Sequence, residues 1–466
     1  MKASTVLKWV MCALPFVYVA QVLLMRNGFV PLPYLLLLLS MMLTFAVSRG
    51  RRLSTRRGAV IFDLSIAAFT FMNLPWVLYE GVVQGPDDAL RVLIFFVVPP
   101  LMYFVVSRYC SSRDVTHLIK IAALTALAVG LELLYEKYWN FVLESTSPFQ
   151  NWNLEYVAQV GSGTILPQLA NLMYRSPGIL EHLHATATYL GIGVIASLHL
   201  VLEKHRWYLG CLYITAIALV FSGGRTALVG TVIAGLAYWR IRKKHLGTNR
   251  TVRVKRGGAM LKVSILLVLV VAVVARIPQV REIYSQLLGG QLAAGNTSFI
   301  ADTIPDEFGI WYDAMADRLW AVPFGLGPGP RSLRAQLSLG SDDFFPVDLL
   351  GRYGVLGTVL FYSTYFAFLA ESAFALRRRR TDRLAPFAVS QVVLAVSIVT
   401  LLMFTTLHSG ALMRKSVFPW LFIAYGLGRQ HFAPARQAIE GAVRANRHDG
   451  ASFRAAVAHS PARQAG

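Results

Sequence analysis

Long runs of apolar residues, separated by short polar or basic segments, make up most of this chain. Most runs are about 17–25 residues long, the length that an α-helix needs to cross the hydrocarbon core of a bilayer. About twelve such runs occur, near residues 6–25, 30–48, 59–79, 91–107, 117–135, 186–203, 207–222, 225–240, 261–277, 348–376, 385–406 and 416–428. The pattern predicts an all-α fold, a polytopic membrane bundle of about twelve transmembrane helices.

Two long polar segments, residues 136–185 and 278–347, interrupt this pattern. In the second segment apolar residues recur at helical spacing, namely Phe308, Trp311, Met315 and Leu319. We therefore expect a short amphipathic helix there, either lying on the membrane surface or capping the bundle. The glycine- and proline-rich turn at 324–330 follows this helix.

The composition excludes an ordinary soluble domain, because 55% of the residues are hydrophobic and only 15% are charged. The 45 lysines and arginines against 24 acidic residues give a net charge of +21. These cations lie mainly in short loops between apolar runs, and no aromatic and basic module accompanies them. We therefore expect membrane lipids as partners and no nucleic acid.

The basic residues also predict the topology. Clusters follow every even-numbered run, at residues 49–57, 108–113, 204–206, 240–256, 377–380 and after 429. By the positive-inside rule, these loops and both termini are cytoplasmic. Segments 136–185 and 278–347 then lie on the periplasmic face of a bacterial inner membrane. Residues 1–428 form the bundle, and 429–466 form a basic cytoplasmic tail that we expect to be disordered.

Four arginines lie on the predicted periplasmic side, which should be poor in positive charge: Arg175, Arg225, Arg331 and Arg334. Arg225 stands in a very short turn after Gly223 and Gly224 and before an apolar helix. Glycines let backbone N–H groups approach an anion, and a helix N-terminus and a guanidinium both favour phosphate. The turn is therefore a candidate phosphate-binding site. The alternative is that Arg225 only pairs with a lipid phosphate or caps a neighbouring helix.

Other candidate residues lie on the same side. Glu181, His182 and His184 form a polar group just before the sixth apolar run. Two histidines at positions i and i+2 do not share a helical face, so we predict no metal site. The three cysteines predict neither a disulfide nor a metal cluster. Glu132 lies within the fifth run, where a charge is costly and often functional.

Three blocks in the order found here resemble the bacterial O-antigen ligase and O-antigen polymerase superfamily. The first block comprises Arg175, Gly178, His182, Leu183 and His184. The second comprises Gly224, Arg225, Thr226 and Ala227. The third comprises Trp311, Ala314, Met315, Pro323, Gly325, Gly327 and Gly329, followed by a helix start with Arg352, Gly354 and Gly357. The resemblance covers residues 170–360 and, through the helix pattern, nearly the whole chain.

The resemblance implies an inverting glycosyltransferase that uses a glycan carried on undecaprenyl pyrophosphate, without metal or cofactor. The four arginines would hold the pyrophosphate. The family's ligases carry a histidine near the acceptor, but Asp342 and Asp343 stand in that region here. One of these aspartates is then a candidate base, and His408 is a spatial substitute for the histidine. The missing histidine favours a polymerase, with a ligase as the alternative.

Two other classes of protein stay open at this point. A transporter, such as a flippase for the same lipid-linked glycan, also has about twelve helices. No convincing internal repeat is present, and the polar residues cluster at one face, which favours an enzyme. The third class is a non-catalytic scaffold among envelope polysaccharide assembly proteins, for which the four arginines would be dispensable.

The topology is testable by cysteine labelling in a variant whose three native cysteines are replaced by alanine. A cysteine at Ser145 should react with a membrane-impermeant maleimide in spheroplasts, because it lies in the predicted periplasmic segment. A cysteine at Ser54 should react only after permeabilisation. The reverse pattern would overturn the orientation, and labelling of both sites in intact spheroplasts would overturn the assignment of these loops to opposite faces.

Overall fold

The computed structural model of the chain describes residues 2–24, 37–42, 60–143, 145–160, 178–180, 183–246, 304–328, 345–378, 386–406 and 416–431. Within these ranges the secondary structure is helical, without a strand. The predicted run at 261–277, most of the run at 30–48 and the tail after residue 431 lie outside the described residues.

The first helices are α1 (Ala3–Ala13), α2 (Val17–Leu23), α3 (Val60–Val83), α4 (Pro86–Val92), α5 (Val98–Tyr109), α6 (Ser112–Val142) and α7 (Pro148–Val160). Then follow a 3-10 turn (Gly178–Leu180), α8 (Leu183–Leu202), α9 (Tyr208–Phe221) and α10 (Arg225–Leu246). The last are α11 (Ile304–Ala316), α12 (Ala321–Phe324), α13 (Phe345–Arg378), α14 (Pro386–Thr406) and α15 (Phe418–Arg429).

Six of the described segments are long and apolar enough to cross a membrane, namely Ala3–Leu23, Phe62–Val83, Ser112–Asn140, His184–Leu202, Pro346–Arg377 and Phe387–Thr405. The apolar helix α9 is shorter. For the described residues, the prediction of a helical, multi-pass membrane bundle is confirmed. The count of twelve spans stays a prediction.

Helices α8 and α14 form the centre of the bundle. Their apolar windows are 78% and 83% buried, whereas those of α3 and α13 are 28% buried. Close approach to α8 depends on glycine: a Cβ at Gly193 would lie 2.1 Å from the Cβ of Ala126 on α6, and one at Gly191 would lie 2.4 Å from Oγ1 of Thr231 on α10. Small residues at helix interfaces let backbones approach within lipid.

Ion pairs and hydrogen bonds join many helices at the end of the bundle that carries the arginine-rich loops, here called the basic end. The contacts are Lys8–Asp114, Arg429–Asp63 (2.9 Å), Arg242–Glu203 (2.8 Å), Ser390–Glu203 (2.7 Å) and Gln430 to the Cys110 carbonyl (2.9 Å). They bring together the starts of α1, α3, α6 and α14 and the ends of α5, α8, α10 and α15. The helices therefore alternate in direction as the arginine pattern predicts. The side of the membrane that each end faces stays a prediction.

The carboxylate of Glu203 yields a pH-dependent prediction. Burial alone would raise the pKa of Glu203, but its bonds to Ser390 and Arg242 hold the pKa below the ordinary value. Because the folded pKa is below the unfolded one, this stabilisation is present above the unfolded pKa, about 4.3, and is lost as the pH falls through the folded pKa. In detergent, Glu203→Gln should lower the free energy of unfolding by about 1–2 kcal/mol at neutral pH.

The control for this experiment is Glu155→Gln, a change at an exposed residue of α7. The thermal stability of this control should match that of the wild type at every pH. The deficit of Glu203→Gln should shrink as the pH approaches 3. A deficit that does not vary with pH would contradict a role for the Glu203 charge.

Candidate functional site

The opposite end of the bundle, here called the far end, contains parts of all three sequence blocks. The buried 3-10 turn Gly178–Leu180 belongs to the first block and packs against the last turns of α6. Gly178 has a φ of +58°, and a Cβ at this position would lie 3.0 Å from Oε2 of Glu132. The glycine of the first block therefore brings the chain directly against this carboxylate. His184 lies in the first turn of α8 and is partly buried.

The second block lies on the start of α8. A Cβ at Gly224 would come within 2.2 Å of the Cβ of Ala187, one turn along α8 from Leu183. The Gly224 N–H donates to Oγ of Ser222 over 3.3 Å. Arg225 begins α10, so the positive end of this helix dipole lies at the second block. The first and second blocks are therefore neighbours at the far end, although the Arg225 side chain lies outside the description.

The third block and the helix start that follows it interlock. The N–H groups of Leu326 and Gly327 donate to the carbonyls of Gly351 and Arg352 over 2.8 and 3.2 Å. Helix α13 breaks at Gly354, whose φ is +62° and ψ is −167°, a conformation essentially restricted to glycine. A Cβ there would lie 2.4 Å from the carbonyl carbon of Pro323. The turn after α12 is thus held against α13 by backbone contacts.

The predicted amphipathic helix is present as α11, and its apolar stripe divides between two environments. Met315 is buried with Ala321 and Leu326, and Trp311 packs against this small cluster. Leu319, which follows the helix, is 77% exposed. The inward half of the stripe therefore attaches α11 to the interlocked turn, whereas Leu319 faces outward.

An acidic face on the last turns of α6 is the densest group of buried polar atoms next to these blocks. Glu132, Glu136 and Asn140 follow one another at intervals of four residues and so share one helical face. Glu136 and Asn140 are 1% and 5% exposed. Within the described part of the chain, both oxygens of Glu132, one oxygen of Glu136 and both amide atoms of Asn140 are buried without a hydrogen bond.

The described residues beside this acidic face include Ile179 and Lys137. Glu132 lies beside Glu136 and near the backbone N–H of Ile179, but neither contact has full hydrogen-bond geometry. Lys137 is also buried and lies near Glu136. The sequence had drawn attention to Glu132 alone. The four-residue spacing was visible as well, but only the packing identifies this face of α6 as buried.

A second buried acidic pair lies in the hairpin formed by α3 and α4. Glu80 is fully buried, and its oxygens make no hydrogen bond to described residues. Asp88 is 3.5 Å from Nη1 of Arg91. This pair includes no residue of the three blocks.

Most of the predicted site residues lie outside the described part of the chain. These are Arg175, Glu181, His182, Arg331, Arg334, Asp342, Asp343 and His408. The proposed convergence of the four arginines on one pyrophosphate therefore stays a prediction. Among the described residues, no group of three or more His, Cys, Asp or Glu side chains could hold a metal ion.

Comparison with known proteins gives no assignment. No family model matches the chain, and a search of curated proteins found no match either. The functional assignment therefore depends on the pattern of residues and on the geometry of the far end.

The interlock predicts a specific effect for Gly354→Ala. The left-handed φ and the clash with the Pro323 backbone should together cost at least about 2 kcal/mol. We expect a lower thermal stability in detergent and faster proteolysis within residues 304–328.

The matched control for Gly354→Ala is Gly309→Ala, because a Cβ at Gly309 on α11 meets nothing within 4 Å. Alanine favours a helix interior over glycine by up to about 1 kcal/mol. This control should therefore be neutral or stabilising. Equal behaviour of the two variants would contradict the interlock.

Proposed function

We propose that the protein is a polysaccharide polymerase of the bacterial inner membrane. It joins oligosaccharide repeat units that are carried on undecaprenyl pyrophosphate, on the periplasmic face, in the synthesis of O-antigen or an exopolysaccharide. The observation that carries the proposal is the position of the three blocks. They are distant in sequence, and the described parts of each lie at the far end of the bundle, which the arginine pattern predicts to be periplasmic.

The chemistry of a lipid-linked donor suits this architecture. The polyprenyl chain stays in the bilayer, so an enzyme built from membrane helices can bind the donor without a soluble nucleotide-sugar domain. The start of α10 presents the positive end of its helix dipole beside the first block. An anionic pyrophosphate at the level of the lipid headgroups is favoured by such a helix terminus.

In the proposed reaction, Arg175, Arg225, Arg331 and Arg334 hold the pyrophosphate. A hydroxyl of the acceptor sugar attacks the anomeric carbon of the donor and inverts it. The bond from that carbon to the pyrophosphate oxygen breaks, and the leaving group departs with the electron pair. Arginines stabilise this developing charge electrostatically.

Several residues are proposed for the acceptor side of the reaction. Asp342 or Asp343 lies near the acceptor hydroxyl. Contacts to the glycan or acceptor come from a further set, namely Glu181, His182, His184 and His408. A ligase that transfers the finished glycan to lipid A-core would use the same donor chemistry and differs only in the acceptor.

A flippase for the same lipid-linked glycan is the second candidate function. The observation that favours it is the pair of buried carboxyl groups on one candidate span, Glu132 and Glu136. Such groups are typical of ion-coupled transport as well as of catalysis. The two functions predict different products when the gene is lost.

The test is the glycan length in a deletion strain complemented with wild type, Arg225→Ala or Arg318→Ala. Deletion should leave single repeat units on lipid A-core or on the carrier. Wild type and the control Arg318→Ala should restore long chains, and Arg225→Ala should reduce polymer at least about 100-fold because an electrostatic contact to the leaving group is lost. The control is apt because Arg318 is also at the far end, where its Nη1 donates to the Ala314 carbonyl over 3.0 Å.

Other outcomes identify the alternatives. Long chains that stay on the carrier and never reach lipid A-core would indicate a ligase. Repeat units that accumulate on the cytoplasmic leaflet would indicate a flippase. Normal glycan in the deletion strain would contradict all three functions in that organism.

A further inference from the structure

The acidic face of Glu132, Glu136 and Asn140 has no assigned role in the mechanism above. Burying a polar group without a hydrogen bond costs about 1–3 kcal/mol from mutational data. Asn140 is only 5% exposed. Both the oxygen and the nitrogen of its side-chain amide are buried without a hydrogen bond to described residues. An amide that presents both a donor and an acceptor, beside two carboxyl groups, fits a ligand that carries hydroxyl groups.

The position of the acidic face fits the proposed reaction. Glu132 is twenty residues beyond Ser112, the first residue of α6, so it lies about 30 Å along the helix. The apolar run itself begins near residue 117 and ends near 135, so Glu132 lies about one turn inside the far edge of the hydrocarbon core, which is about 30 Å thick. The first block touches Glu132 through Gly178, which also faces Thr186 on α8. Gly224 of the second block packs against the next residue of α8, Ala187.

The chemical character of this face selects the ligand. The face contains two carboxyl groups, and one amine, that of Lys137, lies beside it, so it disfavours a pyrophosphate. A sugar hydroxyl, in contrast, can donate to a carboxylate and accept from an amide N–H. Phosphate is better served by the neighbouring start of α10. The two adjacent sites therefore suit the two halves of a glycosyl transfer.

We propose that the acidic face binds the acceptor sugar and that Glu132 is the general base of the transfer. This inference rests on the proposed function. The acceptor hydroxyl gives its proton to the Glu132 carboxylate as its oxygen forms a bond to the donor's anomeric carbon. The carbon–oxygen bond to undecaprenyl pyrophosphate breaks, and that leaving group takes the electron pair. Glu132 thus takes the role of base that the family's ligases would give to the missing histidine. Asp342 and Asp343, the candidates from the sequence, are the alternatives for that role.

The geometry selects Glu132 over Glu136 for this role. Oε2 of Glu132 faces Gly178 of the first block. A Cβ at Gly178 would lie 3.0 Å from this oxygen, so the chain approaches so closely because this residue has no side chain. Glu136 interacts with Glu132 and Lys137 of its own helix, whereas Glu132 also meets the chain of the first block at Gly178. Asn140, one turn further toward the far end, orients the acceptor by hydrogen bonding.

The experiment uses the full-length protein in proteoliposomes, with undecaprenyl-pyrophosphate-linked repeat units as donor and acceptor. Glu132→Gln keeps the size of the side chain but removes the base, so kcat should fall at least about 100-fold. Glu132→Asp should retain more activity than Glu132→Gln. Asn140→Ala should raise the KM for the acceptor more than it lowers kcat. Binding of undecaprenyl pyrophosphate, followed by thermal shift, should be unchanged in all three.

The matched control is Glu80→Gln, which neutralises another fully buried carboxyl group in a candidate span and should keep kcat within about 3-fold of wild type. Wild-type kcat in Glu132→Gln would overturn the inference while leaving the proposed function intact. An equal loss in Glu80→Gln and Glu132→Gln would also overturn it, since the effect would then be general to buried acids. No polymer from the wild type would instead refute the proposed function itself.

Discussion

The constraint on which this structure depends is that a bilayer core offers no hydrogen-bonding partners to the protein. Backbone groups must be satisfied within helices, and polar side chains must reach an end of the bundle or one another. At the basic end they pair closely: Asp63 with Arg429, and Glu203 with Arg242 and Ser390. At the far end, Glu132, Glu136 and Asn140 are buried without such bonds to described residues. Among the described residues the two ends therefore differ, because the polar side chains at the basic end pair with one another and these three at the far end leave buried atoms unbonded.

Glycine makes the far end possible. Gly178 approaches the Glu132 carboxylate, Gly224 approaches Ala187, and Gly354 approaches the backbone at Pro323. Gly178 and Gly224 belong to the first two blocks, and Gly354 belongs to the helix start after the third. A Cβ at each position would lie 3.0 Å or less from a neighbouring atom. The blocks are thus packing motifs as well as carriers of arginine.

Much of the fold could be predicted from the pattern of apolar runs. The run near 348–376 is α13, the run near 385–406 is α14, and α11 occupies the predicted amphipathic stripe. Local detail was harder to predict. The first run is interrupted by a 3-10 turn at Pro15, a residue without a backbone N–H to donate. Helix α13 breaks at Gly354, where the backbone at Pro323 packs against it. Hydropathy alone indicates neither feature.

The sequence by itself determined that the chain is helical and built for a membrane, because the length and apolarity of its runs are local properties. It also determined which ends of the helices lie together, because positive charge is distributed unevenly along the chain. Only the tertiary structure decided which face of α6 is buried, and hence that Glu136 and Asn140 accompany Glu132 beside Gly178. It also decided that the turn after α12 packs against α13. Both results depend on contacts between residues far apart in sequence, which no local pattern encodes.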